Sequence, residues 1–380
     1  MNKAMTKVYF PNLNGIRFLA AFFVIIHHIE QFKSLLGFDN SFTNPFINII
    51  GPLGVILFFV LSGFLITYLL LVEEKLTKNI SVKSFYIRRI LRIWPLYYLI
   101  IGLSFLLFSQ FSFLNVGELS NHVNDNLTLK LILFIFFLPN LALVLFSPIP
   151  YASQTWSVGV EEQFYLIWPI LMRKVKNKKA ILYVIIFGYL LIKLIVFRLI
   201  QKFIFWNEYM ENLKSFFYSF NIDCMAIGGL FAVYLFKNDK ILEILFSKYI
   251  QIIIYFLLVI LITNGIQIPF INFEVYAILF GIVILNLSSN QDSLLKLENR
   301  PFHYLGKISY GLYMYHPIAI VLVLKIFDEL KIVNVGIQYI SIIFTTIVVA
   351  GFSYKYFERY FIDKKIKFSK IISGDNINFS

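Results

Sequence analysis

Residues 51–72 read GPLGVILFFVLSGFLITYLLLV, 22 positions without one charged side chain. As a helix this run would rise roughly 33 Å at 1.5 Å per residue, enough to cross a hydrocarbon core of about 30 Å. Reading outward from it, similar segments recur at 16–34, 93–110, 156–172, 180–201, 215–236, 249–264, 272–288, 307–327 and 336–357. They predict an all-α polytopic membrane protein of about ten spanning helices. Composition agrees, because the 380 residues are 59% hydrophobic and only 14% charged. Water-soluble domains average about 25% charged residues, and a soluble fold has too little interior to hide this much Phe, Ile and Leu.

The net charge of +13 is spread in short runs between apolar segments. That distribution marks cytoplasmic loops, not a nucleic-acid surface, so no nucleic-acid partner is expected. With Lys3 and Lys7 inside, Lys75, Lys78, Lys83, Arg88, Arg89 and Arg92 also fall inside. An eleventh apolar stretch, 131–146, would push Arg173, Lys174, Lys176, Lys178 and Lys179 outside if it spanned. Treated as a short re-entrant segment in the outer leaflet, it leaves every later basic cluster inside and both termini cytoplasmic. No cleavable signal peptide is expected. Cys224 is the only cysteine, which excludes intramolecular disulfides, and no metal site is expected.

Ionisable groups inside spanning helices cost roughly 2.5–3.5 kcal/mol each on insertion scales, so each needs a reason. In NLNGIRFLAAFFVIIHH, 12–28, Arg17 and His28 are eleven positions apart. They share one helical face about 16 Å apart along the axis. Arg17 could instead snorkel to the interface. Arg89 and Arg92, three apart in FYIRRILRIWP, form a guanidinium pair suited to phosphate groups, or simple positive-inside anchors. Glu161 and Glu162, in TWSVGVEEQFYLIWP, point about 100° apart, so at least one must turn into the bundle. Ser62 sits beside Gly63, where small residues equally allow close helix contact. Asp223 and His316 are further intramembrane polar groups, each as readily a satisfied packing residue as a chemical one.

Six motifs in order resemble the acyltransferase-3 family of membrane proteins across residues 9–360, leaving 361–380 as a basic cytoplasmic tail. They are NGIR with His28 after ten residues, GVILFFVLSGFLI at 54–66, SFYIRRILRIWPLYY at 84–98, TWSVGVEEQFYLIWP at 155–169, LGKISYGLYMYHP at 305–317 and YFER at 356–359. The resemblance implies transfer of an acetyl or other short acyl group from acyl-coenzyme A to a glycan hydroxyl at a bacterial inner membrane. Acyl-coenzyme A would be a co-substrate, with no bound cofactor. It also implies an essential basic histidine matching His28 and an arginine pair matching Arg89 and Arg92. Two departures are visible: Asn14-Gly15-Ile16-Arg17-Phe18 stands where Asp-Gly-x-Arg-Gly is usual, and Gly159 where Ser is usual. Some relatives carry a fused extracytoplasmic esterase-like domain, which this length does not accommodate. The expected mechanism has Arg17, Arg89 and Arg92 hold the donor phosphates while His28 activates the hydroxyl, with Glu161 or Glu162 fixing its tautomer. A transporter or flippase of a polar substrate is the rival reading; no hydropathy repeat supports it.

Overall fold

The computed structural model describes residues 6–202 and 208–373, so Lys3 and positions 374–380 of the basic tail lie outside the described residues. The helices run α1 Leu13–Leu35, α2 Pro45–Thr77, α3 Val82–Gly102, α4 Glu118–Asn121, α5 Leu127–Ile135, α6 Pro139–Leu145 and α7 Trp156–Lys174. They continue with α8 Lys178–Lys202, α9 Glu208–Phe220, α10 Ile222–Lys237, α11 Ile241–Leu245, α12 Lys248–Thr263 and α13 Asn272–Ser289. The chain closes with α14 Arg300–Lys307, α15 Ser309–Glu329, α16 Val335–Ser353 and α17 Arg359–Lys365. Two short strands, β1 Thr6–Val8 and β2 Ile371–Ser373, pair in parallel. Residues 6–8 and 371–373 are thereby brought together.

Eight of the described segments are long and apolar enough to cross a membrane, against the ten expected. The difference lies in α7 and α12. α7 has 19 residues but carries Glu161, Glu162, Arg173 and Lys174. α12 is apolar but has only 16 residues between its Ser247 cap and Asn264. Three boundaries also move. α3 begins at Val82, so Arg88, Arg89 and Arg92 ride on the spanning helix itself and not on a loop before it. The expected 215–236 helix breaks at Asn221, a left-handed residue with φ 31°, into α9 and α10. The 131–146 stretch falls into α5 and α6, of nine and seven residues, separated by the left-handed Phe137. Neither is long enough to cross, at roughly 1.5 Å per residue.

α2 is the axis of the bundle, packing on α1, α7, α10 and α13. Asn44 caps it by accepting from the Phe46 N–H at 2.9 Å, and Pro45 takes the first-turn position where a missing N–H does no harm. Its glycines set how close its partners come. A Cβ at Gly63 would strike the Met225 carbonyl of α10, and one at Gly228 of α10 would strike the Val60 carbonyl of α2. Each glycine receives the other helix's backbone, the small-residue crossing that membrane bundles use in place of hydrophobic drive. On its other face, Gly51 accommodates the His27 ring and Gly54 the Ala20 carbonyl, which sets α1 tightly against α2.

A second buried polar group ties α8 to α10 and α13. Lys193 meets Glu274 at 2.8 Å, with both side chains under 5% exposed. Asp223, fully buried, faces the same Glu274. At the far end of α1, Glu30 binds Lys33 at 3.2 Å and accepts from Tyr339 Oη at 2.6 Å.

Candidate active site

α1, α2, α3, α7 and α15 enclose a cavity of about 210 Å³, completed by the N-terminal segment Val8–Phe10 and by Lys365. Arg17, Ser62, Arg89, Arg92 and Glu161 all line it. Five of the nine residues singled out in the sequence therefore meet in one place. The remaining wall is largely apolar, from Phe58, Leu61, Leu65, Ile66, Leu69, Ile93 and Val158. A long, mostly apolar substrate arm with a charged end is the shape such a lining fits.

Glu161 accepts a hydrogen bond from Tyr165 Oη, one turn along α7. That same hydroxyl is in hydrogen-bond contact with Ser62 Oγ. Ser62, Tyr165 and Glu161 thus form a continuous chain across the α2–α7 boundary. The Arg89 guanidinium lies 5.7 Å from the centres of the Phe85 and Tyr165 rings, while its Nε is buried without a hydrogen bond. Stacking leaves the planar face satisfied and the donor edge available to an anion. Arg17 Nη1 donates to Asn14 Oδ1 at 2.9 Å, and Asn14 Nδ2 is 3.0 Å from His303 Nδ1. Asn14 orients the guanidinium through an amide oxygen.

Glu162 points into the bundle too, but away from the cavity, accepting from Trp94 Nε1 at 2.9 Å. Both adjacent carboxylates are thus turned inward. Asp223 does not line the cavity and belongs to the Lys193–Glu274 group.

His28 departs from expectation in two ways. It does not line the cavity that Arg17 lines, and its partner is not a glutamate. His28 Nδ1 lies 3.0 Å from the Val24 carbonyl and 3.0 Å from Nε2 of His316. A carbonyl oxygen can only accept, so Nδ1 carries the proton and His316 Nε2 must also accept. His316 then holds its own proton on Nδ1, an atom that is buried without a hydrogen bond. The physical reason is helix geometry. A histidine Nδ1 reaches the carbonyl one turn back on its own helix, and that contact fixes the tautomer without any carboxylate. Both rings settle as Nδ1–H tautomers, and His28 keeps an unprotonated Nε2. His27 is spent differently, with Nδ1 at 2.8 Å from the Ile47 carbonyl.

Between the cavity and this histidine pair stand Phe58 and Tyr313, with ring centres 5.9 Å apart. Tyr313 Oη donates to the Gln154 carbonyl and meets Ser157 Oγ, both at 2.7 Å, and its ring centre is 5.8 Å from that of His316. Tyr165 and Tyr313 are among the cavity residues that sequence reading missed. Each had a signal, because Tyr165 stands four after Glu161 and Tyr313 three before His316, on shared helical faces.

The described residues thus make a multi-helix membrane protein with a buried cavity lined by arginines, a glutamate and hydroxyls, next to a paired histidine. Residues 10–354 match the acyltransferase domain family, and the chain belongs to it. It is 27% identical over 401 aligned positions to the Staphylococcus aureus (strain COL) protein named "Putative O-acetyltransferase SACOL0978", covering 94% of this chain and 58% of that one. Over 194 positions it is 30% identical to the peptidoglycan O-acetyltransferase OatA of Listeria monocytogenes, covering 48% of this chain and 28% of OatA. The chain therefore spans little more than half the length of the first relative and just over a quarter of OatA. No solved structure matches it.

Proposed function

We propose that this protein is a membrane O-acetyltransferase that moves an acetyl, or another short acyl group, from cytoplasmic acyl-coenzyme A to a hydroxyl of a surface glycan. We place it in a bacterial inner membrane with both termini cytoplasmic. The observation that carries this is the cavity itself: three arginines at one apolar-walled site, with the Arg89 donor edge buried and without a hydrogen bond. A polyanion with a long apolar arm complements it, with Arg17, Arg89 and Arg92 as the donor-binding groups. The names of the relatives support O-acetylation, and OatA's own name points to peptidoglycan as one acceptor class.

In this reading the thioester reaches the Phe58–Tyr313 end of the cavity and the acceptor hydroxyl meets His28 beyond it. His28 Nε2 takes the hydroxyl proton as oxygen attacks the thioester carbon. The carbon–sulfur bond then breaks, and the proton held by His28 passes to the leaving sulfur, so coenzyme A departs as a thiol. His316 serves as a positioning residue that keeps His28 in the reactive tautomer. The Ser62–Tyr165–Glu161 chain lies where the arm passes, and Glu162 supports the wall through Trp94.

The test is acetyl incorporation into cell-surface glycan by wild type and by His28→Ala at matched expression. Full activity of the variant would remove His28 from the chemistry. Release of free thiol from acyl-coenzyme A by the purified protein separates this reading from that of a transporter, which releases none.

A further inference from the structure

The cavity continues outward into a smaller recess lined by Leu69, Glu73, Arg88, Arg89, Lys365, Ser369, Lys370 and Ile371. Leu69, Arg89 and Lys365 line both spaces, so they form the neck between them. The outer wall is built by the C-terminal segment, and two ties hold it there. Arg88 Nη1 donates to the Phe368 carbonyl at 2.9 Å, and β2 pairs with β1, whose Val8 lines the inner cavity. The N-terminal segment is anchored in turn: Tyr9 Oη and the Asn12 N–H each donate to Glu298, both at 2.5 Å. Burial and that carboxylate push the Tyr9 phenol above its ordinary range, so it stays a donor.

The acidic group in the recess is already occupied. Glu73 binds Arg88 Nη2 at 3.2 Å and accepts from the Ser81 N–H at 2.9 Å. Among the described lining residues, one acid, Glu73, stands against Arg88, Arg89, Lys365 and Lys370, so that lining is net positive. From inside outward the order is the cavity with Arg17 and Arg92 in its largely apolar wall, Leu69, Arg89 and Lys365 at the neck, then the exposed Lys370 at the rim. Acyl-coenzyme A has the same order: acyl group, pantetheine arm, pyrophosphate, then a ribose 3′-phosphate.

We propose that the joined ends of the chain build a seat for the nucleotide end of the donor, with the pyrophosphate at Arg89 and Lys365 and the ribose 3′-phosphate at Lys370. This rests on the acyl-coenzyme A reading above. It adds residues 365–371 to the donor site.

Equilibrium binding of coenzyme A, 3′-dephospho-coenzyme A and pantetheine to the full chain in nanodiscs tests it. Wild type should prefer coenzyme A over the dephospho form by about tenfold, the usual scale for one charge-assisted phosphate contact. Lys370→Glu should abolish that ratio while changing pantetheine affinity less than about twofold. Lys365→Ala should weaken both nucleotides together. A wild-type ratio near one, or one that survives Lys370→Glu, overturns the seat while the donor reading stands. If wild type binds coenzyme A no better than pantetheine does, the donor reading fails and the seat with it. Lys370 is exposed, so its substitution tests the seat even if Lys365→Ala does not fold.

Discussion

His28 and His316 show how much chemistry two ring nitrogens can fix. Because His28 Nδ1 is held by Val24 O and His316 Nε2, both at 3.0 Å, the lone pair of its ring has one location, Nε2. His28→Ala should lower turnover by about 10²–10⁴-fold, the range for removing a general base, as read in single-turnover acetyl transfer. His316→Leu should lower turnover with donor KM nearly unchanged. His316→Gln, whose amide oxygen can accept from His28, should recover part of it and shift the pH profile, which a purely structural role would not do. Arg89→Ala removes the buried donor edge and should raise the KM for acyl-coenzyme A about tenfold or more. Arg89→Lys should not restore it, because an ammonium neither stacks on Tyr165 nor presents a fork. Arg17, Arg89 and Glu161, which line the cavity, and His28, which does not, all stood out in the sequence, since an ionisable group in an apolar run needs a reason. The His28–His316 partnership was not, because 288 residues separate the pair and no periodicity links α1 to α15.

At the scale of elements, the α2–α10 crossing decides whether the cavity keeps its shape. Ser62 lines the cavity from the helix turn whose Gly63 lies against Met225. Gly63→Val places a branched side chain where the Met225 carbonyl already sits. A cost of about 1–3 kcal/mol, in the range for overpacking, should appear as a lower melting temperature in detergent. Activity should fall as well, because Ser62 is displaced along with Gly63. The sequence marked this glycine as a candidate contact but could not name α10 as the partner. The α9–α10 break was hidden for a related reason. Hydropathy stays high across 215–236, and only the left-handed backbone at Asn221 interrupts it.

Over the whole molecule, charges that look alike in the sequence fall into separate groups. Glu161 joins Tyr165 and the arginines, Glu30 joins Lys33, and Asp223 joins Lys193 and Glu274. The last group holds α8, α10 and α13 together through a fully buried ammonium. Lys193→Met would leave two buried carboxyls without their cation and should cost about 3–5 kcal/mol. Thermal unfolding in detergent would report it, with Glu274→Gln in the same background recovering part of the loss. A Lys193→Met protein as stable as wild type would show that the ion pair contributes nothing to the bundle.

The sequence alone determined that the chain is a membrane helix bundle of the acyltransferase family and which ionisable residues stand out in it. Runs of apolar residues and the energetic cost of charge in lipid are local properties, and they can be read position by position. Only the tertiary structure decided which of those residues meet. It placed Arg17 with Arg89 and Glu161, gave His28 a histidine and not a glutamate, set Asp223 apart, and brought residues 6–8 and 371–373 together at the cavity mouth. Helix packing in a bilayer is directed by small residues and scattered hydrogen bonds, not by hydrophobic drive, and these leave no periodic mark from which partners could be deduced.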